Sequence, residues 1–157
     1  MSVTVSIVVP FYKVEAYIGQ CAESLLEQTY PDIEYVFVND GSPDGSRDIL
    51  ADVISRHPLR ASRVKIVDKP NGGLPQARKT GLEHCSGDFV FNVDSDDWLE
   101  RDAVEKIVAA AEASAADLVY FYAWKEFGDG KRRVITDRVF PSPQAFSDAF
   151  LSHFDDL

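Results

Sequence analysis

Short apolar runs alternate with segments of helical spacing along most of the chain, and this alternation constrains the fold more than any other sequence feature. The runs are rich in Val, Ile and Phe and lie at residues 3–9, 33–39, 64–68 and 88–93. Their length and β-branched composition are typical of strands. Strands that are apolar along their whole length are buried on both faces, so helices must cover both sides of the sheet. We therefore predict an α/β sandwich of three layers with a mainly parallel central sheet.

The helices are predicted from apolar residues that recur every three or four positions between the runs. The first extends over residues 15–28, and later helices contain residues 49–54, 74–85 and 104–111. Gly81 is expected to weaken the third of them, because glycine is a poor helix former. Each helix joins one predicted strand to the next, as parallel pairing requires.

The last part of the chain continues the pattern with shorter elements. The apolar stretch "DLVYFYAW" at residues 117–124 predicts a fifth strand. "GDG" at 128–130 predicts a hairpin turn, and residues 143–154 have the spacing of a terminal helix. With 157 residues, the chain is predicted to form a single domain in which 125–157 are a hairpin and a final helix.

A formal net charge of −10 at pH 7 limits the partners that this chain can have. Such a charge repels phosphate backbones, so no nucleic-acid partner is expected. A phosphorylated ligand would need a metal ion or a local basic patch. The N-terminal run "VTVSIVV" is too short for a secretory signal or a membrane span. We expect a cytoplasmic protein and leave open a peripheral association with the inner face of the membrane.

Polar loops follow the ends of four predicted strands. They read "PFYKVE", "NDGSPDGS", "KPNGGLPQAR" and "DSDDW", and they begin at residues 10, 39, 69 and 94. In parallel α/β sheets, ligands bind at the carboxyl ends of the strands near the point where the strand order reverses. These four loops are therefore predicted to form one site.

Three aspartates within four residues, Asp94, Asp96 and Asp97, follow the fourth run. Clustered carboxylates beside an apolar core are costly unless a cation lies between them. On an extended segment, Asp94 and Asp96 point to the same side and could share one Mn²⁺ or Mg²⁺ ion. Asp97 would point elsewhere or cap the next helix, and we also count it among the candidate substrate-binding residues. The alternative is a solvated turn whose aspartates cap that helix.

The other loops offer complementary chemistry. Asp40 could accept hydrogen bonds from a ring N–H or from sugar hydroxyls, or it could simply cap its turn. Arg78 could present a planar guanidinium group to a phosphate, or it could lie solvated on its helix. Gly73 would allow the backbone to approach a ligand closely. Apolar and aromatic surface suited to a flat ring lies at the end of the first run, at Pro10, Phe11 and Tyr12.

Other nucleotide-binding and phosphate-binding classes lack support in these loops. A dinucleotide-binding Rossmann domain needs G-x-G-x-x-G after its first strand, and "PFYKVE" contains no glycine. A P-loop motif is absent as well. Phosphoacceptor domains place their key aspartate after an early strand, whereas the dense cluster here follows the fourth run. A metal-dependent site for a nucleoside diphosphate remains.

Several motifs in a fixed order make a more specific pattern than any one of them. They are P-x-Y-x-x-E from Pro10, Q-T-Y from Gln28, D-G-S-x-D-x-S from Asp40, N-x-G-x-x-x-A-R-x-x-G from Asn71 and D-x-D-D from Asp94. Together they resemble the family 2 glycosyltransferases over about residues 4–100. The resemblance implies the GT-A fold, a Rossmann-like α/β sandwich that binds nucleotide sugars.

The resemblance also implies roles for individual residues around the nucleoside. Pro10, Phe11 and Glu15 would help to form the pocket for base and ribose. Asp40 is similar to the aspartate that pairs with the base, usually uracil. Arg78 resembles the arginine that lies near the base and the phosphates.

The remaining roles concern the diphosphate and the reaction. Asp94 would lie toward the ribose, while Asp96 would hold the Mn²⁺ or Mg²⁺ ion on the diphosphate. The resemblance implies an inverting transfer from a nucleotide-sugar donor, usually a UDP-sugar, to a hydroxyl of a saccharide or lipid-linked acceptor. The expected setting is the synthesis of bacterial surface polysaccharide.

Two positions depart from the family pattern, because Lys13 stands where asparagine is common and Asn39 where an aspartate often precedes the base-pairing one. The catalytic base of the family lies well beyond the D-x-D motif, and residues 117–157 contain no convincing candidate. The chain is therefore expected to be the donor-binding part of a longer enzyme. Two alternatives stay open: a nucleotidyltransferase, although its G-x-G-x-R segment is missing, and a degenerate module without catalytic activity.

Overall fold

The structure is a computed structural model that describes residues 3–119, 121, 123–126 and 132–134. Contacts divide the chain into two compact units, residues 1–117 and 118–157. All the predicted site residues lie in the first unit. No helix in the described part of the chain is both long and apolar enough to cross a membrane.

Four parallel strands form the centre of the first unit: β1 (Val5–Phe11), β2 (Ile33–Asn39), β3 (Val64–Asp68) and β4 (Phe89–Asn92). Their order in the sheet is β3-β2-β1-β4. Every residue of β1 and β2 is buried, as the uninterrupted apolar runs predicted. The prediction is wrong for β3 and β4, whose residues are half-buried or exposed because these strands lie at the edges of the sheet. The α/β class and the parallel sheet are confirmed.

Helices cover both faces of this sheet. Alternate side chains of β1 and β2 pack in one core with α1 (Ile18–Leu26), α2 (Ser46–Arg56) and α5 (Ala103–Ser114). The opposite side chains, such as Val8 and Val38, pack with Ala77 of α4 (Leu74–Glu83). A short helix, α3 (Pro58–Ala61), connects α2 to β3.

Gly81 lies where α4 comes closest to the sheet. A Cβ atom built on Gly81 would lie 2.3 Å from Cγ1 of Val8 and 3.4 Å from Cγ2 of Val38. Helix α4 nevertheless extends through Gly81 to Glu83. The glycine that was expected to weaken the helix therefore allows it to pack closely on β1 and β2.

The sheet order places the strand ends where the site was predicted. Phe11 pairs with Asn39, and Asn39 pairs with Asp68, so β1, β2 and β3 end at the same level. On the other side of β1, Asn92 pairs with Val8. The chain order reverses between β1 and β4, and such a reversal is where α/β sheets open a crevice for ligands.

The second unit contains one described hairpin, in which β5 (Trp124–Glu126) pairs in antiparallel fashion with β6 (Arg132–Val134). A hairpin was predicted in this region, but its predicted turn at 128–130 and the helix predicted at 143–154 lie outside the described residues. The predicted strand over 117–124 is wrong for residues 117–119, 121 and 123, which belong to no strand. β-Propensity alone does not make a strand, because pairing and burial decide whether it forms.

Candidate functional site

A cleft of about 480 Å³ opens at the carboxyl ends of the strands, at the predicted position. Seven residues predicted from the sequence line it: Pro10, Phe11, Tyr12, Asp40, Gly73, Asp94 and Asp96. Sequence reasoning assigned no role to four further lining residues, Asn71, Leu74, Ala77 and Ser95. All four lie inside the N-x-G-x-x-x-A-R-x-x-G and D-x-D-D motifs. Their position beside predicted site residues could therefore have identified them as lining residues.

The aromatic wall of the cleft combines one core residue with one exposed residue. Phe11 is 2% exposed and belongs to the main core, whereas Tyr12 is 41% exposed. The Nζ atom of Lys13 lies 5.2 Å from the centroid of the Tyr12 ring. Lys13 has a φ of 54°, a left-handed conformation that asparagine adopts far more readily than lysine. This gives a physical reason why asparagine suits the position.

Asp40 lies at the bottom of the cleft and is only 3% exposed. Its Oδ1 accepts hydrogen bonds from Lys69 Nζ and from the Gly72 N–H at 2.9 Å, and its Oδ2 accepts the Gly73 N–H at 2.8 Å. Burial alone would raise the pKa of this carboxyl, but these hydrogen bonds outweigh burial and lower the pKa from its ordinary value. Asp40 is therefore ionised at neutral pH and accepts hydrogen bonds only.

The three donors do not use all the hydrogen-bond acceptor sites of the Asp40 carboxylate. A carboxylate offers about four lone-pair sites, so room for about one further N–H remains. The backbone at residue 73 directs its N–H at Asp40 with a φ of 83°, a conformation that favours glycine. The predicted role of Gly73, a close approach to a ligand, is thus accompanied by an observed one, since its amide also holds Asp40.

Asp94, Ser95, Asp96 and Asp97 form a turn that is closed by a hydrogen bond of 3.0 Å from the Asp97 N–H to the Asp94 carbonyl. The prediction that Asp94 and Asp96 lie on an extended segment is therefore wrong. Both still line the cleft, because the turn faces it. Asp97 does not line the cleft, and it does not cap the next helix, since α5 begins only at Ala103.

Arg78 does not line the cleft but contacts one of its residues. Its Nη2 donates a hydrogen bond of 2.6 Å to Asp94 Oδ1, while its Nε is buried without a hydrogen-bond partner among the described residues. Both side chains of this ion pair are partly exposed, at 40% and 48%. Such a pair is weak, so either partner can be given up to a ligand at small cost.

The charges of the aspartate turn act on its neighbours. Burial raises the pKa of the Asp97 carboxyl, and the charges of Asp96 and Asp94 raise it further. Burial also raises the pKa of the Cys21 thiol to about 12, with contributions from the same three carboxylates. Cys21, whose Sγ lies 3.8 Å from the Asp94 carbonyl oxygen, therefore stays protonated and is no nucleophile.

Glu15 lies outside the lining of the cleft and acts within the loops. Its Oε2 accepts the Gly45 N–H at 2.9 Å, which joins the loop after β1 to the loop after β2. The structure does not bring Glu15 to the base and ribose pocket that the resemblance implied for it.

Asp44 is a second connection between these loops that sequence reasoning missed. Its Oδ1 accepts hydrogen bonds of 2.5 Å and 2.6 Å from the hydroxyls of Ser42 and Ser46. These hydroxyls in turn accept the N–H groups of Lys13 and Val14 at 2.8 Å and 3.0 Å. Burial alone would raise the pKa of Asp44, but the serine hydrogen bonds lower it to about 2. The motif D-G-S-x-D-x-S carried this signal in its second aspartate.

The donor set at the turn fits a hard divalent ion. Within the described residues, the Asp96 carboxylate makes no hydrogen bond and no ion pair. Arg78 contacts only Oδ1 of Asp94, so Oδ2 of Asp94 is a second oxygen that could bind an ion. No three His, Cys, Asp or Glu side chains in this part of the chain are arranged to hold a metal by themselves. Mg²⁺ in nucleotide sites is bound by one or two carboxylates together with substrate phosphates. Asp94 and Asp96 fit an ion that binds in this way.

This chain is similar to known proteins both in family and in sequence. The model of the glycosyl transferase family 2 matches residues 6–155. An uncharacterized glycosyltransferase of Bacillus subtilis, EpsJ, is 38% identical over 130 residues, which are 83% of this chain and 37% of EpsJ. A chondroitin synthase of Pasteurella multocida is 40% identical over 101 residues, 64% of this chain and 10% of the synthase. The chain thus spans well under half the length of these relatives.

Solved structures with the same fold contain nucleotides. The structure of residues 1–349 of S. aureus TarS in complex with UDP has a TM-score of 0.65 and 29% identity, over 73% of this chain and 33% of that one. A mannosyltransferase from Pyrobaculum calidifontis in complex with GDP-Man and Mn²⁺ has a TM-score of 0.65 and 27% identity, over 71% of this chain and 33% of that one. These similarities agree with the GT-A fold.

Proposed function

This chain belongs to glycosyl transferase family 2, and we propose that it forms the donor-binding part of an inverting glycosyltransferase. The donor is a nucleotide-diphosphate sugar, for which UDP is our first choice, and the acceptor is a hydroxyl of a saccharide or lipid-linked sugar. The observation that carries the proposal is the cleft at the reversal of strand order, where Tyr12, Asp40 and the Asp94–Asp96 turn meet. A chondroitin synthase among the relatives supports a role in polysaccharide synthesis.

The base and the ribose would bind against the wall formed by residues 10–12. The exposed Tyr12 ring offers a flat apolar face for a base. Asp40, held ionised by its three protein donors, would accept the ring N–H of uracil. Guanine also carries a ring N–H, so Asp40 alone does not choose between UDP and GDP. Cytosine and adenine lack this N–H and are disfavoured by a group that can only accept hydrogen bonds.

The diphosphate would lie toward Asp94 and Asp96, which would hold an Mn²⁺ or Mg²⁺ ion together with the phosphate oxygens. When bound, such an ion offsets the negative charge that develops on the departing nucleoside diphosphate. Arg78 gives up its weak pair with Asp94 and offers its guanidinium group to the phosphates. The unpartnered Arg78 Nε supports this role, because a donor of that group is still unused among the described residues.

In the proposed reaction, the oxygen of the acceptor hydroxyl forms a bond to the anomeric carbon as the bond to the diphosphate oxygen breaks. A single displacement of this kind inverts the configuration at the anomeric carbon. The hydroxyl proton passes to a general base. We assign none of the described residues to that base, since the carboxylates at the cleft are all placed for donor binding.

Titration of UDP by calorimetry tests this proposal in three parallel conditions: with Mn²⁺, with excess chelator, and with the Asp96→Ala variant. We expect binding that requires the ion and falls at least about tenfold in the variant. Asp52→Ala is the matched control, because Asp52 lies exposed on α2 and pairs only with Arg56 at 3.4 Å among the described residues. Its binding should equal that of the unmodified chain.

The other outcomes separate the alternatives. Undiminished UDP binding in the presence of chelator would refute the metal role of Asp94 and Asp96 but would leave the nucleoside pocket supported. Tighter binding of GDP than of UDP would replace the proposed nucleotide. No binding of UDP, GDP or TDP in any condition would refute donor binding and favour a module without catalytic activity.

A further inference from the structure

The segment that follows the aspartate turn contains no helix or strand until α5 begins at Ala103. On the other side of the turn, the sheet continues to hold the chain through a hydrogen bond of 2.9 Å from the Val93 N–H to the Val8 carbonyl. The position of the turn therefore depends on what holds residues 98–104. Five hydrogen bonds to residues 99–105 come from Ser24 in α1 and from Gln28 and Thr29 just after it.

Gln28, in the Q-T-Y motif just after α1, supplies the central contacts. It is only 3% exposed. Its Nε2 donates hydrogen bonds of 2.8 Å to the Glu100 carbonyl and 3.0 Å to the Ser24 carbonyl, and its Oε1 accepts the Val104 N–H at 3.0 Å. One side chain thus bonds backbone groups in the segment before α5 and in the first turn of α5. A buried amide with three such bonds is costly to replace.

Ser24 and Thr29 extend the same attachment. The Ser24 hydroxyl accepts the Leu99 N–H at 3.1 Å. The Thr29 N–H donates to the Arg101 carbonyl at 3.0 Å, and the Thr29 hydroxyl donates to Glu105 Oε2 at 2.6 Å. Contacts therefore occur at five of the seven residues from 99 to 105, and the partners lie more than 70 residues away in sequence.

We propose that Gln28, supported by Ser24 and Thr29, is a positioning residue that holds the Asp94–Asp97 turn in place for the metal-bound diphosphate. The proposal rests on the proposed function, because it assigns donor phosphates and an ion to that turn. It gives the Q-T-Y motif a physical role, since the end of α1 serves as the second anchor of a loop whose first anchor is β4. Loss of this anchor would leave the aspartates present but misplaced relative to the nucleoside pocket.

Two variants test the anchor in the 157-residue chain. Gln28→Met keeps the volume of the side chain and removes all three hydrogen bonds, while Ser24→Ala removes the partner of the Leu99 N–H more gently. Tyr30→Phe is the matched control, because Tyr30 belongs to the same Q-T-Y motif but its hydroxyl donates to the Val3 carbonyl at 2.5 Å and not to residues 98–104. If Gln28→Met fails to fold, Ser24→Ala decides the question by itself.

The first measurement is hydrogen exchange of a peptide that covers residues 94–104, without any ligand. We expect exchange to be about tenfold faster in both variants, while Tyr30→Phe and strands β1 and β2 exchange as before. Unchanged exchange over residues 94–104 would overturn the proposal, and so would an equal acceleration across the whole first unit.

The second measurement compares two probes, UDP at increasing Mn²⁺ and uridine without metal, the latter followed by ligand-observed NMR. We expect the Mn²⁺ concentration for half-maximal UDP binding to rise about tenfold in both variants, because metal affinity falls by about this factor when contacts that support the metal ligands are lost. The affinity for uridine should stay the same. Equal weakening of both probes would mean general loosening and would overturn the positioning role. If the unmodified chain binds no UDP, the proposed function fails, and the exchange measurement still decides whether Gln28 holds the turn.

Discussion

Glu34 offers the sharpest quantitative prediction, because its contacts explain a large downward shift of its pKa. It lies near the beginning of β2, at the opposite end of the sheet from the cleft, and is 7% exposed. Its Oε1 accepts the Ser6 hydroxyl at 2.6 Å and the Ser86 N–H, and its Oε2 accepts the Ser86 hydroxyl at 2.8 Å. Lys65 Nζ lies 3.6 Å from Oε2. Glu34 thus joins β1, β3 and the loop that enters β4.

The magnitude follows from the pKa of this group. Burial alone would raise the pKa of Glu34, but the hydrogen bonds from Ser6 and Ser86 and the charge of Lys65 lower it from 4.5 to about 2. A downward shift of this size corresponds to a free energy of about 3 kcal/mol in favour of the folded state. Because the folded-state pKa lies below the unfolded one, this contribution is present above about pH 4.5 and is lost as the pH falls toward 2.

The variant Glu34→Gln removes the charge at nearly constant volume. We expect its free energy of unfolding at pH 7 to be lower by about 3 kcal/mol, which moves the urea midpoint by about 1.5 M for a slope of ~2 kcal/mol/M. The difference should shrink as the pH falls from 4.5 to 2, because Glu34 of the unfolded chain takes up a proton below about pH 4.5, whereas the folded chain resists protonation until about pH 2. Urea titrations followed by tryptophan fluorescence at pH 7 and pH 3 measure both quantities.

A matched control is Glu83→Gln, a carboxylate that lies exposed at the end of α4 and should change the midpoint little at either pH. A loss of less than about 1 kcal/mol in Glu34→Gln would refute the reasoning. So would a larger loss that is the same at pH 7 and pH 3, because hydrogen-bond geometry rather than charge would then explain it. Nucleotide binding by the folded variant should be unchanged, since Glu34 is remote from the cleft.

Two further substitutions test local backbone and packing arguments. Gly81→Ala should destabilise the chain by about 1–3 kcal/mol, because the new Cβ would lie 2.3 Å from Val8 Cγ1 and this clash outweighs the better helix propensity of alanine. A urea midpoint higher than that of the unmodified chain would contradict the close packing. Lys13→Asn should raise the free energy of unfolding by about 0.5 kcal/mol, since asparagine tolerates a φ of 54° and only a weak contact with the Tyr12 ring is lost. Lys13→Ala also loses the contact with the Tyr12 ring, but alanine does not tolerate a positive φ as asparagine does, so it should not stabilise the chain. An equal rise in the free energy of unfolding for Lys13→Ala and Lys13→Asn would count against the explanation.

Much of the cleft could be predicted because strand ends and the loops after them are local features of a sequence. Asp40 and Asp94 each come directly after an apolar run, and parallel pairing brings the ends of those runs to one edge of the sheet. Prediction failed where it assumed a local geometry, as with the extended segment expected for Asp94 and Asp96, which is a hydrogen-bonded turn. It also failed for residues 117–119, where an apolar stretch has strand propensity but forms no strand.

The sequence by itself determined the alternation of strands and helices, the parallel sheet and the identity of the residues at its carboxyl edge, because these depend on spacings of two to four residues. Only the tertiary structure decided which side chain meets which partner. Glu15 contacts Gly45 because β2 pairs beside β1. Arg78 contacts Asp94, and Gln28 contacts Glu100 and Val104, because β4 pairs on the other side of β1 and the chain after it returns to the end of α1. Contacts between residues so distant in sequence follow from strand order, and no local pattern of residues encodes that order.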